Sequence, residues 1–276
     1  MEIRLNLGGV VHLSTVDWEG RSATVVFLRG CPLRCPHCQN RELQEGHTPA
    51  RLSFVDGDLM ARWSRPRQSR RPSDQATLGQ FLQEQVDVSK PPSGSLISSL
   101  VFSGGEPLMQ PRAVRSLARQ ARKLGLEVGL ETCGFYPEPL QQIIGQGLVD
   151  RVFLDLKAAP REEEYARAAG ARGVLLRVLQ SLEVCLAGGV STEVRVTVFP
   201  DIPSAEEVLE IARLVSSRLE SHPAGRLHSL VLQQGLPRDE DFTPLPVEEL
   251  RSLADRIRGL PVQVREAGRS GHKIDL

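Results

Sequence analysis

From Leu96 onward the chain alternates between short runs of β-branched and apolar residues and longer segments whose apolar residues recur at helical spacing. Residues 96–102, 126–130, 152–156, 193–198 and 227–232 read as strands, and Val262–Arg265 as a last short one. Between them, residues 111–124, Pro137–Gly145, about 162–187, 204–219 and 247–258 read as helices. With the earlier strand Ala23–Leu28 this makes six principal β–α units. Sequential strands separated by helices pair in parallel, because the helical crossover returns the chain to the end from which it left. The expected fold is α/β, a parallel sheet with helices packed outside. Six units are fewer than the eight that close a full barrel. No repeat of fixed period and no dividing linker is present, so the 276 residues are expected to form one domain.

The N-terminal third departs from this rhythm. Residues 2–13 alternate through Gly8-Gly9 and read as a short strand or hairpin. Residues 74–87 have helical spacing, closed by Pro91-Pro-Ser-Gly94. Before them, residues 61–72 carry prolines at 66 and 72 and five arginines, a composition suited to a solvent loop and not to a helix or strand. An inserted loop is expected at about 61–75.

Lys+Arg and Asp+Glu balance at 34 each, so no global field draws the chain to nucleic acid or to a membrane. The first residues alternate charge with apolar side chains, unlike a signal peptide, and no apolar run is long enough to cross a bilayer. The five cysteines are odd in number, which argues against a disulfide framework and for a reducing, cytoplasmic setting.

Three of those cysteines fall in eight residues, Cys31-Pro-Leu-Arg-Cys35-Pro-His-Cys38, directly after the strand Ala23–Leu28. Thiolates this close can hold one polynuclear iron–sulfur cluster, and a local set of three leaves one iron open. The competing reading is a structural zinc site completed by Cys133 or a histidine. Asn40 follows as a plausible N-cap for a helix beginning at Arg41.

The cysteine spacing, with His37 just before the last thiol, resembles the radical S-adenosylmethionine superfamily. Ser103-Gly104-Gly105-Glu106-Pro107, after a strand and about 65 residues beyond the cysteines, resembles its second signature. Ser14-Thr-Val-Asp-Trp-Glu-Gly-Arg21, continued through Phe27-Leu-Arg-Gly-Cys31 and Cys38-Gln-Asn40, is similar to the anaerobic ribonucleoside-triphosphate reductase activating proteins among the glycyl-radical-enzyme activases.

The resemblance implies a partial (β/α)6 TIM-like barrel, a 4Fe–4S cluster on Cys31, Cys35 and Cys38, and S-adenosyl-L-methionine on the open iron. Cleavage of that cofactor gives a 5′-deoxyadenosyl radical, which takes a hydrogen atom from a backbone glycine of a partner. The implied partners are a glycyl radical enzyme and an electron donor such as flavodoxin or ferredoxin, with no nucleic acid and no membrane.

Active sites of such folds form at the carboxyl ends of the strands. There the resemblance implies cofactor contacts from His37, from Ser103, Gly104, Gly105 and Glu106, and from Glu131 and Thr132. Asp155 and Lys157, in an Asp-Leu-Lys run, share a face at the end of their strand and join the same set. Glu131, Thr132 and Asp155 would also hold a monovalent cation. Arg195 is implied for the cofactor carboxylate or ribose, and Gln233 for the adenine. Cys133 stands where activases have asparagine and reads as a small buried residue. A deazaguanine-synthase-like enzyme acting on a small molecule is the alternative within the superfamily; a metal-binding interaction protein is the alternative outside it.

Overall fold

A computed structural model describes residues 2–47, 51–55, 62–64, 96–237 and 242–266. Its strands are β1 (Glu2–Leu5), β2 (Leu7–Ser14), β3 (Ala23–Leu28), β4 (Arg51–Val55), β5 (Arg62–Ser64), β6 (Ser99–Gly104), β7 (Glu127–Thr132), β8 (Arg151–Asp155), β9 (Ser191–Val198), β10 (Arg226–Gln234) and β11 (Val262–Arg265). The helices are α1 (Pro111–Lys123), α2 (Pro137–Gly145), α3 (Glu162–Ala169), α4 (Leu175–Ala187), α5 (Ala205–Ser221) and α6 (Val247–Arg256). The main sheet has the order β11-β10-β9-β8-β7-β6-β3-β2. Every neighbouring pair from β3 to β11 is parallel, and β2 lies antiparallel on β3 at the edge. This is the parallel sheet that the alternation predicts, in the open, partial (β/α)6 barrel that the resemblance implies. The helix expected at 74–87 and the turn at 91–94 lie outside the described residues.

Side chains alternate across a strand, and here the alternation divides the interior in two. One set, including Val26, Leu28, Leu100, Phe102, Val128, Leu130, Val152, Leu154, Val194 and Val196, packs against Val114 and Leu117 of α1, Val178 and Leu182 of α4, and Val208 and Ile211 of α5. The opposite set, Val25, Phe27, Val101 and Phe153, forms a smaller cluster with Trp18 and Leu43. Trp18 thus fills the concave side of the sheet, meeting Phe153 edge to face at 5.7 Å. Gly129 makes the room, since a Cβ there would lie 3.0 Å from both rings. Burying a large apolar side chain is worth about 1.5–3 kcal/mol. The chain between β2 and β3 is therefore part of the core and not only a turn.

Four local expectations change. The helical segment at 162–187 is two helices: α3 ends at Gly170, whose φ of 64° is left-handed, and α4 starts at Leu175. The cysteine loop docks at this break, through the Arg34 N–H to the Ala169 carbonyl (2.9 Å). Residues 2–13 are not one hairpin, because β1 leaves the main sheet and pairs with β4, which pairs with β5. Arg62–Ser64 is consequently a strand inside the stretch expected as a loop; the rest of 61–75, apart from these three residues, lies outside the described residues. Asn40 supplies no cap, and the helix after it is a single turn, Arg41–Leu43. Its amide instead donates to the Gly104 carbonyl (3.2 Å). Among the described residues no helix is long and apolar enough to cross a membrane.

Candidate functional site

Strand β3 ends at Leu28 and hands the chain to the cysteine loop, which is fixed by main-chain bonds. Gly30 donates to the Leu43 carbonyl (2.8 Å) and Cys31 to that of Gln44 (3.1 Å), while Arg34 is bound to the end of α3. All three thiols are free and half-buried, and they line one cavity. Burial pushes the Cys35 thiol up, with the Lys157 ammonium opposing. Cys31 is held below the usual range, chiefly by its hydrogen bond with the Cys133 side chain, against burial.

The Gly-Gly-Glu-Pro loop leaves β6 and lies across the start of the cysteine loop. Gly105 donates to the Leu28 carbonyl (2.8 Å) and Glu106 to that of Gly30 (2.7 Å). A Cβ at Gly104, where φ is +119°, would lie 2.3 Å from the Leu28 carbonyl oxygen; at Gly105 it would lie 2.2 Å from that of Gly30. The paired glycines are thus required by the approach of backbone to backbone. Ser103, Gly104 and Gly105 line the cavity, and Glu106 does not. The Glu106 side chain is completely buried and accepts from the Leu108 N–H (2.9 Å), the Cys133 N–H (2.7 Å) and the Thr132 hydroxyl (3.0 Å). It ties two strand-end loops together.

At the end of β7, Glu131, Thr132 and Cys133 all line the cavity. Glu131 accepts from Ser103 Oγ (2.5 Å) and from Arg195 Nη1 (2.5 Å). Arg195 lines the cavity too, yet each of its nitrogens has a protein partner. Nε meets Glu193 at 2.7 Å and Nη2 meets the Asp17 carbonyl at 3.0 Å, and the guanidinium lies 4.1 Å over the Phe153 ring. Burial would lower its pKa, but Glu131 and Glu193 hold it above the ordinary value. Arg195 is accordingly a strut between β7 and β9 in this arrangement.

Asp155 and Lys157 face the cavity together, as their spacing predicts, with Nζ 3.5 Å from the carboxylate. Burial alone would lower the Lys157 pKa; Cys35 and Asp155 outweigh it and hold the ammonium charged. The three side chains expected to share a monovalent cation do not fit one here. Glu131 already bears a guanidinium, the Thr132 hydroxyl is turned to Glu106, and Asp155 faces Lys157.

The far wall is aromatic. His37 stacks on Phe199 with centroids 4.3 Å apart and meets Phe242 edge to face at 5.9 Å. Gly235 admits the Phe199 ring, which a Cβ there would approach to 2.3 Å. Phe199 and Phe242 escaped the sequence reading; the only local sign was an aromatic residue before Pro200, where β9 ends. Gln233 is half-buried on β10 in register with Thr197, and it is not part of the cavity wall.

The donor set fits an iron–sulfur cluster: three thiols on one loop open into a single cavity with an ammonium group beside them. Among the described residues no three His, Cys, Asp or Glu side chains converge on a point as one ion would require. Cluster cysteines take different irons and need no such convergence.

Comparison with known proteins agrees with this geometry. A protein of Methanocaldococcus jannaschii named for glycyl-radical enzyme activation is 27% identical over 261 residues, covering 90% of this chain and 89% of its own. The 7-carboxy-7-deazaguanine synthase of Thermococcus kodakarensis is 26% identical over 200 residues, covering 66% and 70%. The solved structure of TYW1 with a lysine–pyruvate adduct superposes with a TM-score of 0.53 at 12% identity, over 85% of this chain and 72% of that one, a likeness of fold. The family model of the radical SAM superfamily matches residues 25–215, from β3 and its cysteine loop into α5, and the chain belongs to that superfamily.

Proposed function

We propose that this protein is a glycyl-radical-enzyme activase. It would hold a 4Fe–4S cluster on Cys31, Cys35 and Cys38 and use S-adenosyl-L-methionine to take a hydrogen atom from a backbone glycine of a partner enzyme, for which we favour anaerobic ribonucleoside-triphosphate reductase. The observation that carries the reading is the gathering of three thiols, the Ser103–Gly105 backbone and Lys157 around one cavity. It is supported by the match over nine-tenths of both chains to a relative named for glycyl-radical enzyme activation. The bound cluster and cofactor supply an electron and a 5′-deoxyadenosyl radical, leaving methionine and, after hydrogen transfer, 5′-deoxyadenosine. The polypeptide's part is to bind and to orient. Lys157 places a fixed positive charge beside the thiols, the half-buried main chain of the glycine pair lines the cavity, and the His37–Phe199 stack gives a flat apolar wall of the kind that receives a base.

The test is anaerobic reconstitution and reduction, followed by quantification of 5′-deoxyadenosine and by EPR with the partner present. Cofactor cleavage together with a glycyl-radical doublet is expected. Cys31→Ala, Cys35→Ala and Cys38→Ala should each abolish cleavage, and near-wild-type cleavage by any one would overturn the ligand assignment. The similarity to a deazaguanine synthase supports a second reading, a small-molecule substrate. Cofactor cleavage driven by a small molecule, with no protein radical, would favour it.

A further inference from the structure

The segment that follows the cysteines folds back against them. Cys31 donates its N–H to the Gln44 carbonyl (3.1 Å) and Gly30 to that of Leu43 (2.8 Å), while the Arg34 guanidinium meets Glu45 at 2.6 Å. Gln44 is thereby held by its main chain beside the first of the three cysteines. Its side chain is 9% exposed and lines the same cavity as the thiols. Two other amide side chains of this segment line the cavity, and both have partners. Gln39 Nε2 donates to the Leu236 carbonyl (3.1 Å) and Asn40 Nδ2 to the Gly104 carbonyl (3.2 Å). Gln44 Nε2 is buried and has none, and among the described residues it is the only such atom in a residue of the cavity wall. A buried donor without an acceptor forfeits the bonds it made to water, so a folded chain seldom keeps one without a use.

We propose that Gln44 is a further cluster-binding residue, whose side-chain N–H donates to a sulfur of the cluster held by Cys31, Cys35 and Cys38. The proposal rests on the reading of those three cysteines as ligands. A carboxamide nitrogen donates and does not accept, and the acceptors that an iron–sulfur cluster offers are its sulfurs. The place of Gln44 favours the cluster over the cofactor. Its main chain is bonded to Cys31, whereas Ser103, Glu131, Thr132, Asp155 and Lys157, which the resemblance implies for the cofactor, stand at or just beyond the ends of β6, β7 and β8. A hydrogen bond to a cluster sulfur withdraws negative charge, favours the reduced form and raises the reduction potential. The same orphan donor makes a second, independent demand. In the protein without its cluster, an apolar side chain of similar length at position 44 gives up no hydrogen bond from Nε2.

The experiment compares the full-length wild type with Gln44→Met and Gln44→Leu, both without added cofactor. Thermal midpoints are measured before reconstitution, and iron, sulfide and an EPR-monitored redox titration after it. Both variants should unfold no earlier than the wild type before reconstitution and should take up the same iron. Once loaded, each should lose about tenfold in the one-electron reduction equilibrium, a shift of ~59 mV to more negative potential. An unchanged potential, or a shift to more positive values, would overturn the proposal. If S-adenosyl-L-methionine then bound more weakly to the variants at unchanged potential, the amide would belong to the cofactor and not to the cluster. A lower midpoint before reconstitution in both variants would show that the amide serves the fold and overturn the proposal too. So would a loss of iron in both, which would make Gln44 a support of the loop. A wild type that takes up no cluster would instead overturn the ligation itself, and the proposal with it.

Discussion

Glu193 shows how a buried charge can be held inside this barrel. Its side chain is wholly inaccessible, and it meets Arg195 at 2.7 Å and Arg265 at 3.1 Å. Burial pushes the carboxyl pKa up, but the two guanidinium groups outweigh it and hold the group below the usual 4.5. A carboxylate depressed on folding adds stability that is fully present above its unfolded pKa and lost as pH falls through the folded value. Glu193→Gln should therefore destabilise the fold at neutral pH by about 3–5 kcal/mol, because it leaves the buried Arg195 and the half-buried Arg265 underpaired. It should also flatten the acid limb below about pH 4.5. Urea denaturation across that range measures both; an acid limb as steep as that of the wild type would remove Glu193 from the account. The sequence allowed half of this to be read. Arg195 and Thr197 share a face by strand alternation, and it was the family resemblance that marked Arg195 as a cavity residue. The further partners of the pair, Asp17 and Glu131 for Arg195 and Arg265 for Glu193, come from other strands and loops, and no local pattern announces them. A guanidinium expected to face a cofactor thus turns out to be bound by the protein.

At the level of elements, the cysteine loop is positioned less by β3 than by what it lands on. The Arg34 backbone donates to the last residue of α3, and a Cβ on Gly170 would lie 2.0 Å from the Arg34 carbonyl oxygen. Gly170 therefore serves two ends, closing α3 in a left-handed conformation and letting the loop approach. Gly170→Ala should cost about 1–2 kcal/mol for the left-handed backbone, and more for displacing Arg34. The loop should feel the change before the barrel does. Reduced iron uptake on reconstitution, with a thermal midpoint only modestly lowered, is the expected outcome; normal iron uptake would show that the loop does not depend on this contact. Periodicity made β6 to β11 and the helices outside them legible, because each buries one continuous face. The break between α3 and α4 was hidden because apolar spacing resumes beyond Gly173, and the segment packed against the break, at Arg34, lies 136 residues upstream of Gly170. Strands β4 and β5 were missed for a related reason: their pairing is with β1, outside the βα rhythm.

On the scale of the molecule, the cavity is built entirely from one end of the sheet. The ends of β3, β6, β7 and β8, with the segment joining β8 to α3, contribute the thiols, the glycine pair, Thr132, Cys133, Asp155 and Lys157. None of these loops holds itself in place: the cysteine loop rests on α3, the glycine loop on the cysteine loop, and Glu106 joins the glycine loop to the end of β7. A group bound to the three thiols should accordingly stabilise the loops as a set, by an amount that grows with its affinity for the folded chain. The opposite end of the barrel gains only through global unfolding. Amide hydrogen exchange on apo and cluster-loaded protein would resolve the two. Added protection is expected at residues 29–45, 104–110, 131–135 and 155–171, with little change at the starts of β3, β6 and β9. Uniform protection along every strand would mean that loading stabilises the chain as a single unit and that the loops are not a separable layer. Motifs at the strand ends made this end of the barrel legible before any geometry was known. The mutual support of its loops was not, because it runs through backbone carbonyls, which carry no residue signature.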